Sequence, residues 1–208
     1  LIKSIDADWN TFIQSYSFSF PSIPIIDSSF SHKIDYSSIA ISCFLSFFNT
    51  FGKYILIASD NPTLIDLNLC DSLSQMIPII LTKINSFHNF TYNIDKTLSF
   101  INDSILTTNP NNISEFNIII FINDYKHIPY DLPFPNHKSP NIVLWNLSGD
   151  IFDHCVLDNI NYDFKFLNSN NISHFFLEHI NSSFNESNFD EYFNFLFNFR
   201  YNLLSYLC

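Results

Sequence analysis

The stretch Ser22-Ile23-Pro24-Ile25-Ile26-Asp27-Ser28-Ser29-Phe30-Ser31 decides the fold, because an apolar run breaks within one residue into an acid followed by spaced hydroxyls. A short run rich in β-branched residues and bounded by polar ones predicts a strand covered on both faces, as in a parallel sheet. In open α/β sheets, ligands gather in the crevice beyond the carboxyl ends of such strands. There the chain presents Asp27-x-Ser29-x-Ser31, one carboxylate and two hydroxyls on a tight loop. All three offer oxygen to a hard cation, and Mg2+ suits them because it takes oxygen ligands and retains several waters. Taken alone, the same pentapeptide is also an ordinary Asx or Ser turn at a strand end.

Working outward, residues 1–20 have a helical pattern with Trp9, Phe12 and Ile13 on one face, and residues 1–18 are expected to be a lead-in helix ending a preceding region. Residues 37–51 are apolar almost all round, which predicts a helix buried against the sheet. Gly52 follows, where a helix C-cap favours a residue free to take positive φ. Tyr54-Ile55-Leu56-Ile57-Ala58 predicts a second buried strand. The turn Asp60-Asn61-Pro62 leads at once into the alternating Thr63-Leu64-Ile65-Asp66-Leu67. So short a connection implies an antiparallel edge strand.

Asp71 is expected to cap a helix from Ser72 to about Ile84, kinked or broken at Pro78. A further helix is expected from Thr91 to Ile101, with Ile94, Leu98 and Ile101 on one face. Strands follow at residues 117–122 and 141–147, a last one begins at 154–157, and helices complete the chain at 172–180 and 190–207. This order predicts an α/β fold, a doubly wound and mainly parallel sheet of Rossmann type with one antiparallel edge strand and helices on both faces.

Nine basic against 20 acidic side chains give a formal charge of −11. That balance opposes nucleic-acid binding, which rests on Lys and Arg neutralising phosphates, and suits a cation or a partner with a basic face. The four cysteines are scattered without zinc spacing and read as small buried hydrophobes in a reducing, intracellular compartment. No apolar stretch reaches the about 18 residues that a membrane span requires. Among the seven histidines, His32 alone lies near the proposed site and reads best as a loop residue. His174 and His179, with Glu178, lack zinc-helix spacing, and His154 beside Cys155 is no nucleophile pair by adjacency. Trp145 is expected in the core.

In such a sheet the strands ending at Asp27 and Asp124 deliver two carboxylates to one edge, and the loop before the helix of residues 92–101 brings Thr91 there. Two acids and three hydroxyls, Asp27, Ser29, Ser31, Thr91 and Asp124, make an oxygen-only set for a cation. Two adjacent carboxylates without a cation would force one to take up a proton. On the same residues the acids are alternatively helix or turn caps.

These segments resemble the von Willebrand factor A-like domain and its metal-ion-dependent adhesion site over roughly residues 19–207, and a domain of residues 19–208 is expected. The first-strand motif stands as Asp27-Ser28-Ser29-Phe30-Ser31, the distant threonine as Thr91 and the fourth-strand Asp as Asp124. Phe30, Asn89 and Phe90 stand where the family carries glycines. The Trp145-Asn146-Leu147 strand ending is similar to that of an intracellular family of unassigned function, related to the Ro60-type TROVE/vWA scaffold proteins, whose carboxyl half is A-like.

The resemblance implies a non-enzymatic protein-interaction domain, cytoplasmic, with Mg2+ (Mn2+ or Ca2+ as substitutes) binding an acidic residue of a protein partner. Two alternatives stand beside it. One is a metal-free A-like scaffold domain of a larger ribonucleoprotein-type protein. The other is a metal-dependent phosphohydrolase, although position 29 carries Ser where such enzymes usually place a second acid.

Overall fold

The computed structural model describes residues 2–14, 21–27, 36–86, 93–106, 116–122, 133–134, 140–146 and 164–168. In chain order these form α1 (Ile2–Gln14), β1 (Ser22–Asp27), α2 (Tyr36–Phe47), β2 (Tyr54–Ala58), β3 (Thr63–Asp66), α3 (Leu73–Asn85) and α4 (Ile94–Ile101). They continue with a π-helical turn (Asn102–Leu106), β4 (Asn117–Ile122), β5 (Asn141–Asn146) and β6 (Phe164–Asn168). The strands build one six-stranded sheet in the order β3-β2-β1-β4-β5-β6. Every pairing is parallel except β2 with β3, the antiparallel edge that the short Asp60-Asn61-Pro62 connection demands.

Side chains alternate across the pleat and fill two separate cores. Ile26, Ile55, Ile57, Ile119, Phe121, Val143 and Trp145 pack on one face with Trp9 of α1, most of α2, and Leu73, Met76, Ile77 and Ile80 of α3. Ile23, Ile25, Leu56, Ala58, Ile118, Ile120, Ile142 and Leu144 pack on the other with Ile94, Leu98 and Ile101 of α4. Helices therefore cover both faces, and the fold is the doubly wound α/β class that the buried apolar runs predict. Because both strand faces are covered, β1, β2, β4 and β5 read as continuous apolar runs rather than alternating ones.

Helix α1 is built into the first core. Trp9 is fully buried and meets Phe44 and Phe47 of α2 edge to face, with ring centroids 6.4 and 5.7 Å apart. Its Asp6 carboxylate accepts from the Ser74 amide and hydroxyl at the start of α3. The N-terminal amides of a helix lack internal partners, so a carboxylate from a neighbouring helix serves as their cap.

Several local expectations are corrected. The N-cap of α3 is Ser72 rather than Asp71, with the Asp71 amide donating instead to Gln75 Oε1 (2.7 Å). Helix α3 is not broken at Pro78 but continues through it as one element, with Pro78 on its exposed side. Helix α2 stops at Phe47, earlier than residue 51, and Gly52 is not its C-cap. Gly52 does take positive φ (+112°), in the turn leading into β2, where an added Cβ would lie 2.7 Å from Tyr54 Cε2 and 2.8 Å from Asn68 Oδ1. Helix α4 starts after Asn93, not at Thr91, because the Asn93 side chain accepts from the Lys96 amide and terminates the helix there.

Strand β6 was not expected at residues 164–168. The strand expected at 154–157 and the helices expected at 172–180 and 190–207 lie outside the described residues. Trp145 is buried, as expected, and so are Cys43 and Cys70, both free thiols. Burial pushes the Cys43 thiol far above its ordinary range, so it stays neutral. Cys155 and Cys208 lie outside the described residues.

Candidate cation site at the carboxyl edge of the sheet

Strand order reverses between β1 and β4. From β1 the chain winds outward through α2 to β2 and β3, then crosses back to β4 and continues the other way to β5 and β6. Such a reversal opens a crevice at the carboxyl ends of the two central strands, the place where doubly wound sheets bind ligands. Asp27 is the last residue of β1 and is in register with Ala58, the last of β2. Continuing the Ile25–Ile120 register by two residues sets Asp27 level with Ile122, the last residue of β4. Three strands thus end at one level, with an acid terminating the central one.

The turn after β2 is shaped by its own side chains. Ser59 Oγ donates to the Asn61 carbonyl (2.6 Å) and accepts from the Asn61 amide (3.2 Å), while Thr63 Oγ1 donates to the same carbonyl (3.2 Å). Asp60, between them, accepts from Asn93 Nδ2 (2.9 Å) and pairs with Lys96 Nζ (3.0 Å). Hydrogen bonds from Lys96 and Asn93 and the Lys96 charge hold the Asp60 carboxyl below its ordinary value. Asn93 faces both ways, since its Oδ1 accepts from the Lys96 amide (3.0 Å) while its amide group reaches Asp60. Thr97 completes the helix start by donating Oγ1 to the Asn93 carbonyl (2.7 Å). The amino end of α4 is thereby fastened to the carboxyl end of β2.

Of the residues expected to hold the cation, Asp27 ends β1 at this rim. Ser29, Ser31, Thr91 and Asp124 lie outside the described residues, as do His32 and every other histidine of the chain. Asp124 follows the end of β4 by two residues in sequence, and Thr91 precedes the cap Asn93 by two. Among the described residues no group of three His, Cys, Asp or Glu side chains comes together as a metal centre. No helix among them is long and apolar enough to cross a membrane.

The Asp60–Asn93–Lys96 cluster was missed by sequence reasoning, which saw Asp60 only as a turn former. The one available signal was Asn93 three residues before Lys96 at the start of an apolar-periodic stretch, an Asn N-cap pattern. The fold and rim define the chain as a doubly wound α/β protein with an acid at its topological switch point. No protein-family model, curated protein or solved structure matches it.

Proposed function

We propose that this chain is a von Willebrand factor A-like domain, non-enzymatic and intracellular, that binds an acidic group of a protein partner through a cation held by Asp27, Ser29, Ser31, Thr91 and Asp124. The observation that carries the reading is the place of Asp27, at the end of β1 beside β4, where strand order reverses. The set contains only carboxylate and hydroxyl oxygens, which fits Mg2+, or Mn2+ or Ca2+ in its place, and does not fit a soft metal. When bound, the cation supplies concentrated positive charge and a coordination position that a partner carboxylate fills. The chain's own part would be to bring two negative charges to one rim and to supply hydroxyl oxygens beside them, while the Asp60 contacts fasten the start of α4 to the turn after β2. A net charge of −11 draws cations to the molecule and disfavours an acidic partner unless the cation intervenes.

Calorimetric titration with Mg2+ tests this. The unaltered protein should bind one ion, and Asp27→Ala or Asp124→Ala should each abolish binding while circular dichroism stays unchanged. Undiminished binding in both variants would overturn the assignment of the ligands. Phe30, between the two serines, and Asn89 and Phe90 before Thr91 favour a second reading, a metal-free A-like scaffold domain. Glycine permits backbone geometries that these residues do not. Absence of Mg2+ binding by the unaltered protein would select that second reading.

A further inference from the structure

We infer that Cys43 and Cys70 form a reversible redox pair, two thiols of one core that a peroxide joins into a disulfide between α2 and the turn leading into α3. The inference is independent of the cation reading and needs none of the residues proposed to hold the ion.

Three observations carry it. First, both are free thiols buried in the same core, Cys43 on α2 and Cys70 on the turn between β3 and α3. Second, Lys53 ties that turn to the part of α2 that carries Cys43. Its ammonium donates to the Cys70 carbonyl and lies 4.6 Å from the centre of the Phe47 ring, and Phe47 stands one helical turn beyond Cys43 on the same face of α2. The Cys70 amide donates to the Leu67 carbonyl (2.9 Å), so the residue is held on both of its peptide groups. Third, the two thiols act on one another, because burial first and then the neighbouring Cys70 push the Cys43 thiol up.

The two sulfurs differ in the way such a pair needs. Cys43 is 0% exposed and Cys70 4%, so an oxidant reaching the edge of the core meets Cys70 first. Burial raises the Cys70 thiol too, but the Lys53 ammonium opposes that rise, whereas both influences on Cys43 act upward. A thiolate beside a lysine is the form that peroxides oxidise. The Cys70 thiolate attacks one peroxide oxygen and the O–O bond breaks. Sulfur becomes a sulfenic acid, and the other oxygen leaves as hydroxide and takes up a proton to give water. The Cys43 sulfur then displaces hydroxide from the Cys70 sulfur, an S–S bond replaces the S–O bond, and the Cys43 proton departs with that hydroxide as a second water. Two electrons pass from the two thiols to one peroxide. A small thiol reverses the bond by exchange. The closed form encloses β2 and β3 in a covalent loop, which restricts the unfolded chain and favours the folded one.

The competing explanation is that both cysteines are only small apolar filling. Peptide mapping of the folded, full chain after treatment with hydrogen peroxide separates the two. Cleavage after lysine places Cys43 in the peptide 34–53 and Cys70 in the peptide 54–83, so the disulfide shows as these two peptides joined. The expected result is that linked pair, lost again in dithiothreitol, with a urea midpoint that rises on oxidation and falls back on reduction. Cys43→Ala should leave Cys70 as a sulfenic acid that dimedone traps, and Cys70→Ala should leave Cys43 a free thiol. Both cysteines remaining free thiols in the folded protein would overturn the inference. So would linkage of either one to Cys155 or Cys208 in place of the other, or a Cys43–Cys70 bond that forms only after unfolding in urea.

Discussion

The two ends of the sheet are built from similar side chains and put to different use. At the amino end, polar groups close on one another. Asn49 donates Nδ2 to the Gly52 carbonyl (2.8 Å), and its Oδ1 accepts from the amides of Phe51 (3.2 Å) and Ser22 (3.3 Å), tying the α2–β2 turn to the start of β1. Asn68 Oδ1 accepts from the Lys53 amide (2.9 Å), and Asp66 Oδ1 accepts from both the Asn68 amide (2.9 Å) and Asn68 Nδ2 (2.7 Å). Lys53 sets its ammonium 4.6 Å from the centre of the Phe47 ring, donates to the Cys70 carbonyl and lies 3.8 Å from Asp71.

At the carboxyl end the chain leaves β1 through an acid and β2 through a turn braced by Ser59 and Thr63, and the start of α4 is tied to that turn. The contrast teaches where each end spends its polar residues. One end fastens loops to strands, and the other ends its central strand in Asp27 where the strand order reverses.

The largest effect that sharpens this contrast belongs to Lys53. Replacing it in Lys53→Met removes a charge-assisted donor from a carbonyl with little solvent around it and a cation from an aromatic face, together about 2 kcal/mol. The exposed Asp71 partner adds little. Urea unfolding should show that loss, with Mg2+ affinity unchanged within about two-fold, a measure of the separation between the two ends. A ten-fold change in affinity would mean that the ends are coupled and the contrast is false.

The smallest effect belongs to the carboxyl end in acid. Lys96 and Asn93 hold the Asp60 carboxyl below its ordinary value in the folded chain. A depressed folded-state value means that the contribution is complete above the unfolded-state pKa, about 3.9, and is lost as pH falls through the folded one. Between pH 7 and 5 the stability difference between the protein and Asp60→Asn should therefore stay constant, and it should shrink below about pH 4. A difference that changes between pH 7 and 5 would assign the titration to another group.

How much of this was readable in the sequence follows from which forces act locally. β1, β2, β4 and β5 were readable because strands covered on both faces leave unbroken β-branched runs, and β3 because a short turn permits only antiparallel return. β6 was not. Phe164-Lys165-Phe166-Leu167-Asn168 is short and carries a lysine, and its place is set by pairing with β5, a contact that no local pattern announces. The start of α4 was misplaced because a side chain, that of Asn93, chose the boundary.

For the candidate site, sequence supplied residue types and spacing, while adjacency of β1 and β4 came from the sheet order. The Asp60 contacts were invisible because their partners lie 33 and 36 residues away.

The most direct test of the central claim is an anomalous-scattering map from crystals soaked in Mn2+. One peak at the carboxyl edge between β1 and β4, within coordination distance of the Asp27 and Asp124 carboxylates and a serine hydroxyl, is the predicted result. A map with no peak there, and those two carboxylates too far apart to share an ion, would contradict it.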